Sequence, residues 1–275
     1  MRENGLISAA RRMPNAAWAW EGLRRNPAYR ADYRAHAHAM PATIPLYGGA
    51  RFLRAPRRYL GAEEWGLLTY ADPYLTADEA NVFWRPDLLA GALRVKLTPL
   101  GTSSDVDDGP SDTIVLSALK TRRVLLETVD GARHILLNGR RFWIQLYSIK
   151  RAPVGDQAEV DIRFDGADHM QRRLDTAAQL LALHRSAGGK LSLIGRRRNT
   201  RPLSNALNAY DIWHGFDRPK GSLEDVAEMI VGKARMAADW GANDRALKAQ
   251  AKRAIAKGEA FVAGDYRHLL AQKVL

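Results

Sequence analysis

Apolar residues near the end of the chain recur with helical spacing. Leu223, Val226, Met229 and Ile230 stand three and four apart, which gives a short helix one apolar face. Ser222 followed by Asp225 predicts a capping box at its start, and Gly232 predicts its end. Leu247, Ala251, Ala254 and Ile255 predict a second, longer helix over 243–257. Upstream, Leu203, Ala206, Leu207 and Tyr210 predict an amphipathic helix over 203–213. Leu174, Ala177, Ala178, Leu181 and Ala182 predict another within 168–187, ended by Gly188-Gly189.

The period changes to that of strands between 93 and 165. Segments 94–97, 113–116, 122–128, 133–137, 141–147 and 160–164 are rich in Val, Ile, Leu and aromatics. Asp130-Gly131 and Asn138-Gly139 separate the middle ones, and both dipeptides favour tight hairpins. A three-stranded antiparallel meander is expected there. Nearer the start, aromatics are dense at 18–33 and 65–89, with Asn26-Pro27 dividing the first stretch into two short elements. Trp18, Trp20, Trp65, Tyr70, Tyr74, Phe83 and Trp84 are expected to pack as an aromatic core, although aromatics also stack on bases or on a partner. Three prolines and Gly48-Gly49 predict a loop over 40–56, and 1–17 reads as a basic tail or frayed helix.

The fold class expected is therefore α+β. It has an aromatic-rich helical domain at 1–90, a β-rich region at 91–165 and a helical domain at 166–275.

Charge adds a partner to this picture. The net charge is +12 over 275 residues. Residues 1–60 hold 11 Lys and Arg against 3 Asp and Glu, 61–165 hold 12 against 16, and 166–275 hold 19 against 11. Basic ends flanking an acidic middle fit a polyanion partner, because bound phosphates release counterions. A solubilising surface is the plainer alternative. In the predicted helix over 243–257, Arg245, Lys248 and Lys252 at i, i+3 and i+7 share a face. A capped helix, a turn and a helix with one apolar and one basic face predict a helix-turn-helix. On that reading Asn243, Arg245, Lys248, Gln250, Lys252 and Arg253 reach bases or phosphates, with Asn243 and Gln250 suited to adenine edges. Arg196, Arg197, Arg198 and Arg201 form the densest basic cluster and, with Lys220, would hold the DNA backbone. Segment 233–240 is longer than a minimal turn and is able to displace the reading helix.

Other chemistry is thin. There are no cysteines, which excludes disulfides and most structural zinc. Asp105, Asp107 and Asp108 miss the spacing of a calcium loop. None of the seven histidines falls in a metal pattern, and no phosphate-binding glycine loop or nucleophile elbow occurs. Neither enzyme activity nor a cofactor is expected. No apolar run approaches the roughly 20 residues that cross a bilayer, so a cytoplasmic location without a membrane partner is expected.

Two stretches resemble a known family. Residues 203–271, carrying LNAYD, GSLEDVAEMIVG, ADW and AKRAIAKGEAFVAGDYRHLL, resemble the C-terminal domain of RovC- and FseA-type transcriptional regulators of proteobacteria, a helix-turn-helix variant. Residues 18–33 and 65–88, carrying WEGLRRNPAYRADY, WGLLTYADP and FWRPDL, resemble the regulator-like domain often fused before it. The resemblance implies promoter activation at secretion systems or conjugative elements, while shorter relatives act as antiactivators. The stretch 43–62 is an insertion between the two N-terminal blocks. Double-stranded DNA is the expected partner, with RNA polymerase or another regulator contacted by the N-terminal part. A homo-oligomer is expected, since paired half-sites supply the contact area that one reading helix lacks. Two alternatives stay open: an antiactivator or adaptor that sequesters a partner protein, and an RNA binder.

Overall fold

Seven strands form one mixed sheet in the middle of the molecule, with helices at both ends of the chain. This computed structural model describes residues 7, 13–46, 48–100, 113–149, 157–186, 200–239 and 244–271. The strands are β1 (Thr43–Pro45), β2 (Arg51–Arg54), β3 (Leu93–Pro99), β4 (Arg122–Glu127), β5 (Arg133–Gly139), β6 (Phe142–Ser148) and β7 (Ala158–Arg163). Their order across the sheet is β1-β2-β4-β5-β6-β3-β7. The expected meander is present: β4 pairs antiparallel with β5, and β5 with β6. The parallel pairs β2–β4 and β6–β3 extend it on both sides.

The first hairpin turns at Asp130-Gly131 as its dipeptide predicts, with Gly131 at φ 80°. In the second, Gly139 pairs with Phe142, so the tip is Arg140-Arg141 and Asn138-Gly139 end the strand. Glycine is needed at 139 for closeness, since a Cβ there would lie 2.6 Å from the Phe142 ring.

Two local expectations fail. The stretch 40–56 is not a loop but carries β1 and β2. Phe52 and Leu53 are both buried, one on each face, and Pro45 is tolerated because β1 is an edge strand. Segment 113–116 is not a strand. Val115 makes a single bridge to Glu159, and the chain then enters a 3-10 turn at Leu116–Ala118.

Both faces of the sheet are covered, which is why β4 and β5 are buried almost throughout. On one face Leu125, Ile135, Leu137, Ile144 and Leu146 pack with α4 (Met170–Arg185). Here the predicted stripe is displaced. The buried residues of α4 are Thr176, Ala177, Leu180 and Leu183, whereas Leu174 and Leu181 are exposed. Thr176 reaches the core because its hydroxyl donates to the carbonyl of Arg172 at 2.9 Å.

The other face carries Val124, Leu126, Leu136 and Trp143 into the aromatic core. That core joins α1 (Asn15–Leu23), α2 (Pro27–His36), α3 (Leu60–Glu64), α5 (Arg201–His214) and α9 (Tyr266–Leu270). Trp18, Trp20, Phe83 and Trp84 are fully buried and Tyr70 nearly so. Trp65 is half-buried, and Tyr74 is exposed, with the Arg30 guanidinium over its ring at 5.1 Å. Asn26 does separate α1 from α2. Its side chain caps α2 by accepting from Ala28 and Tyr29 and donates to the carbonyl of Val262 at 2.9 Å.

Candidate nucleic-acid interface

Three helices build the candidate surface around a core of their own. They are α5, α6 (Leu223–Val231) and α8 (Asp244–Ala260). Ala209, Ile212, Val226, Ala227, Leu247, Ala251 and Ile255 meet between them, joined by Met236 from the short α7 (Lys233–Asp239).

Helix α5 stops at Gly215, whose φ of 72° lets its N–H return to the carbonyl of Asp211 at 3.0 Å. The chain reverses through 216–221 and starts α6 with the predicted capping box. The Ser222 hydroxyl accepts from the Asp225 N–H at 3.1 Å, and the Asp225 carboxylate accepts from the Ser222 N–H at 2.6 Å. The Ser222 N–H first, and then its hydroxyl, which donates to the same carboxylate at 2.8 Å, hold the Asp225 carboxyl below the usual carboxylate range. Ser222→Ala is expected to cost about 1 kcal/mol, read as a lower urea midpoint with an unchanged slope.

Helix α6 ends at Gly232, at φ 87°. The next seven residues form α7, so the segment that exceeds a minimal turn is itself helical. Lys233 and Arg235 are exposed on it. They are not among the predicted contacts; the one signal in the sequence is Met236, the single large apolar residue of KARMAAD.

Helix α8 runs three residues beyond the predicted end. Leu247, Ala251 and Ile255 face inward and Ala254 is half-buried, as the period predicts. Arg245, Gln250, Lys252 and Arg253 are exposed and Lys248 is half-buried. At 100° per residue, Arg245, Lys248 and Lys252 fall within about 60° of arc and span about 10 Å of axis. Arg253 lies about 80° round the helix from Arg245, and Gln250 about 140°, on the opposite flank of the apolar stripe.

Two predicted backbone contacts fall beside this unit. Arg201 is exposed at the first turn of α5. Lys220 is exposed in the α5–α6 connection, with its ammonium 5.5 Å from the Trp213 ring centre. Arg196, Arg197, Arg198 and Asn243 lie outside the described residues.

A buried ion cluster ties the unit to α1. Arg25 donates through Nε and Nη2 to the two carboxylate oxygens of Asp211 on α5, at 2.7 and 2.8 Å. Arg25 also reaches the Glu21 carboxylate at 2.8 Å, and Arg24 reaches it at 2.7 Å. All four residues are about 2% exposed. Burial pushes Glu21 up, but the guanidinium groups of Arg24 and Arg25 outweigh it and hold the carboxyl at about 2. The guanidinium groups of Arg24, Arg25 and Arg30 also surround the Phe216 ring at 5.1, 4.8 and 5.1 Å. The basic unit is thus fixed to the N-terminal helices by charge pairing as well as by apolar packing.

Among the described residues, no group of three or more His, Asp or Glu is placed to hold a metal ion, and no helix is long and apolar enough to cross a membrane.

Two known family models match the chain, one over this helical unit. The chain has the layout of a transcriptional regulator whose DNA-binding domain is C-terminal. Residues 153–271 match the family model of the RovC type described as "T6SS, Transcription factor, DNA binding domain". Residues 2–68 match the "Proteobacterial transcriptional regulator-like domain". The first match takes in β7 and α4 to α9, and the second takes in α1 to α3. The two parts stand in the order that the sequence resembles, but the second match stops at residue 68, short of the 65–88 block, and runs through 43–62. No curated protein matches the chain.

Proposed function

We propose that the protein is a sequence-specific regulator, and an activator, that binds promoter DNA through α6, α7 and α8 as a helix-turn-helix variant. The observation that carries this reading is α8. Leu247, Ala251 and Ile255 seat it on α5 and α6, which leaves Arg245, Lys248, Gln250, Lys252 and Arg253 outward in a segment matching a DNA-binding domain. These five side chains, with Asn243, read bases and the adjoining phosphates. Arg201 and Lys220, with Arg196, Arg197 and Arg198, hold the backbone and carry no sequence information. Helix α7 widens the connection, so Lys233 and Arg235 join the backbone contacts. The N-terminal helices contact polymerase or another regulator, and two or more copies bind paired half-sites.

The double substitution Arg245→Ala with Lys248→Ala tests this. Affinity for the DNA upstream of the neighbouring genes is expected to fall by at least 10-fold, since each side chain that pairs with a base edge supplies about 1–3 kcal/mol. The slope of log affinity against log salt is expected to become shallower by about 1–2. An unchanged affinity and slope, in a variant that melts like the wild type, would remove α8 from the interface and favour an adaptor that binds protein.

A further inference from the structure

The stretch 43–62 plays no part in the helical interface, yet it builds one side of a basic sheet end. Arg51 opens β2, beside β4. Arg122 opens β4, opposite Asn138. Lys120 precedes it by two residues. Arg140 and Arg141 form the tip of the β5–β6 hairpin, one position beyond the Gly139–Phe142 pair. Strands lie about 4.8 Å apart, so these five cations occupy a row of roughly 10–15 Å across β2, β4 and β5.

Arg122 is the fixed centre of this row. Its Nη1 donates to the Ala80 carbonyl at 3.2 Å and to the Asn138 side chain at 2.8 Å. Its Nη2 donates to the Glu79 carbonyl at 2.8 Å and to the Asn81 side chain. All four acceptors are neutral, so the guanidinium is held rigidly while its charge remains. Burial first, then the neighbouring Arg51, pushes its pKa down to about 10, against the pull of Asp78. Arg51, Lys120, Arg140 and Arg141 are exposed, and among the described residues none of them is paired with a carboxylate. Two acids lie nearby, Asp78 and Glu79; Glu79 accepts from the Thr76 N–H and hydroxyl at 3.0 and 2.7 Å, neutral donors that leave its charge in place. Four exposed cations and a fifth locked among neutral acceptors outweigh the two carboxylates, and all but Arg51 lie in the most acidic third of the chain.

We propose that this sheet end is a second docking surface for the phosphate backbone of duplex DNA, separate from the helical interface. The proposal rests on the DNA-binding reading above and adds the sheet to it. Duplex DNA carries one charge per about 1.7 Å of axis, so a row of this length faces several phosphates. The contacts are made to phosphate only. They lengthen the footprint and steepen the salt dependence without altering sequence preference. On this account the stretch 43–62 brings Arg51 and β2 to the edge of that surface.

The test uses the full chain and fluorescently labelled duplexes, one random and one from upstream of the neighbouring genes. Two variants are compared with the wild type. One is Lys120→Gln with Arg140→Gln and Arg141→Gln. The other, a control at the far edge of the sheet, is Lys96→Gln with Arg163→Gln. The sheet-end variant is expected to lose affinity equally for both duplexes and to make the log–log salt slope shallower by about 2–3. The control is expected to keep the wild-type slope. All three proteins should melt within a few degrees of one another. A wild-type slope in the sheet-end variant, or an equal loss in the control, overturns the proposal and leaves the helical interface standing. No duplex binding by the wild type at low salt would overturn both readings. Lost self-association with an unchanged salt slope would assign the surface to a protein partner and overturn the DNA contact.

Discussion

Arg25→Met is expected to destabilise the protein by about 3–5 kcal/mol, the cost of removing one partner from a buried ion cluster. Methionine keeps most of the volume, so little of the effect comes from an empty space. What remains is Asp211 without its bidentate partner, and Glu21 with Arg24 alone. Both carboxylates are about 2% exposed, and water does not replace the missing donors. Urea denaturation of the variant measures the loss directly. A change below about 1 kcal/mol would mean that the cluster is wetter than its burial indicates. Since Arg25 joins α1 to α5, DNA affinity is expected to fall as well, even though Arg25 itself is buried and far from any surface a ligand could touch.

The same cluster sets an acid limit. The Glu21 carboxyl falls from an ordinary 4.5 to about 2 in the folded protein. A carboxyl lowered on folding stabilises above its unfolded value and loses that stability as pH falls towards the folded value. The loss is therefore expected between about pH 4.5 and 2. It amounts to about 3 kcal/mol from Glu21 taken alone, and Asp211 offsets part of it, because burial raises its carboxyl above the ordinary value in spite of Arg25. Glu21→Gln is expected to be less stable at pH 7 and to show a flatter melting-temperature profile across that window. A profile parallel to the wild type would take the acid limit away from Glu21.

Much of the local structure was legible because it depends on neighbours in the chain. The Ser222–Asp225 cap, the Asn26-Pro27 break, the Asp130-Gly131 turn and the inward stripe of α8 all follow from short-range rules and all stand in the structure. What failed depended on partners far along the chain. β2 is a strand because β4 is beside it, and prolines at 41, 45 and 56 hid a four-residue apolar-centred segment between them. The buried stripe of α4 was misplaced because Thr176 counts as polar until its hydroxyl is satisfied within the helix. Arg24 and Arg25 are buried because carboxylates on α1 and α5 meet them, and no spacing within 18–33 announces Asp211. For the candidate site, the basic face of α8 was legible, whereas α7 was hidden because its seven residues, just after Gly232, hold a single large apolar residue, Met236, too few to show a helical period. The sheet end was hidden by a misplaced hairpin tip, since placing the turn at Asn138-Gly139 leaves Arg140 and Arg141 as ordinary strand and loop residues.

Beyond the apolar contacts of Leu247, Ala251 and Ile255, α8 crosses α5 closely at Gly258, and Gly258→Ala is expected to break that crossing. Inside an exposed helix this change would stabilise by about 1 kcal/mol, because alanine is the better helix former. Here the sign reverses. A Cβ at 258 would stand 2.3 Å from the carbonyl oxygen of Ala206 and 3.0 Å from Cβ of Tyr210, both on α5. The first obstacle is backbone, so a rotamer change does not relieve it and the two helices must move apart. Overpacking of this kind costs about 1–3 kcal/mol, and the forgone gain in helix propensity enlarges the gap from expectation. The displacement also tilts the face that carries Arg245, Lys248 and Lys252, so DNA affinity is expected to drop further than stability alone requires at a temperature where the variant is fully folded. Gly264→Ala is the control. Its Cβ would meet nothing within 4 Å, and its φ of 176° is open to any residue. Equal behaviour of the two variants would show that the crossing gives way locally and does not set the position of α8. A destabilised Gly258→Ala that still binds duplex with wild-type affinity would show that the basic face acts without a fixed tilt, as a backbone-binding surface and not as a reader of bases.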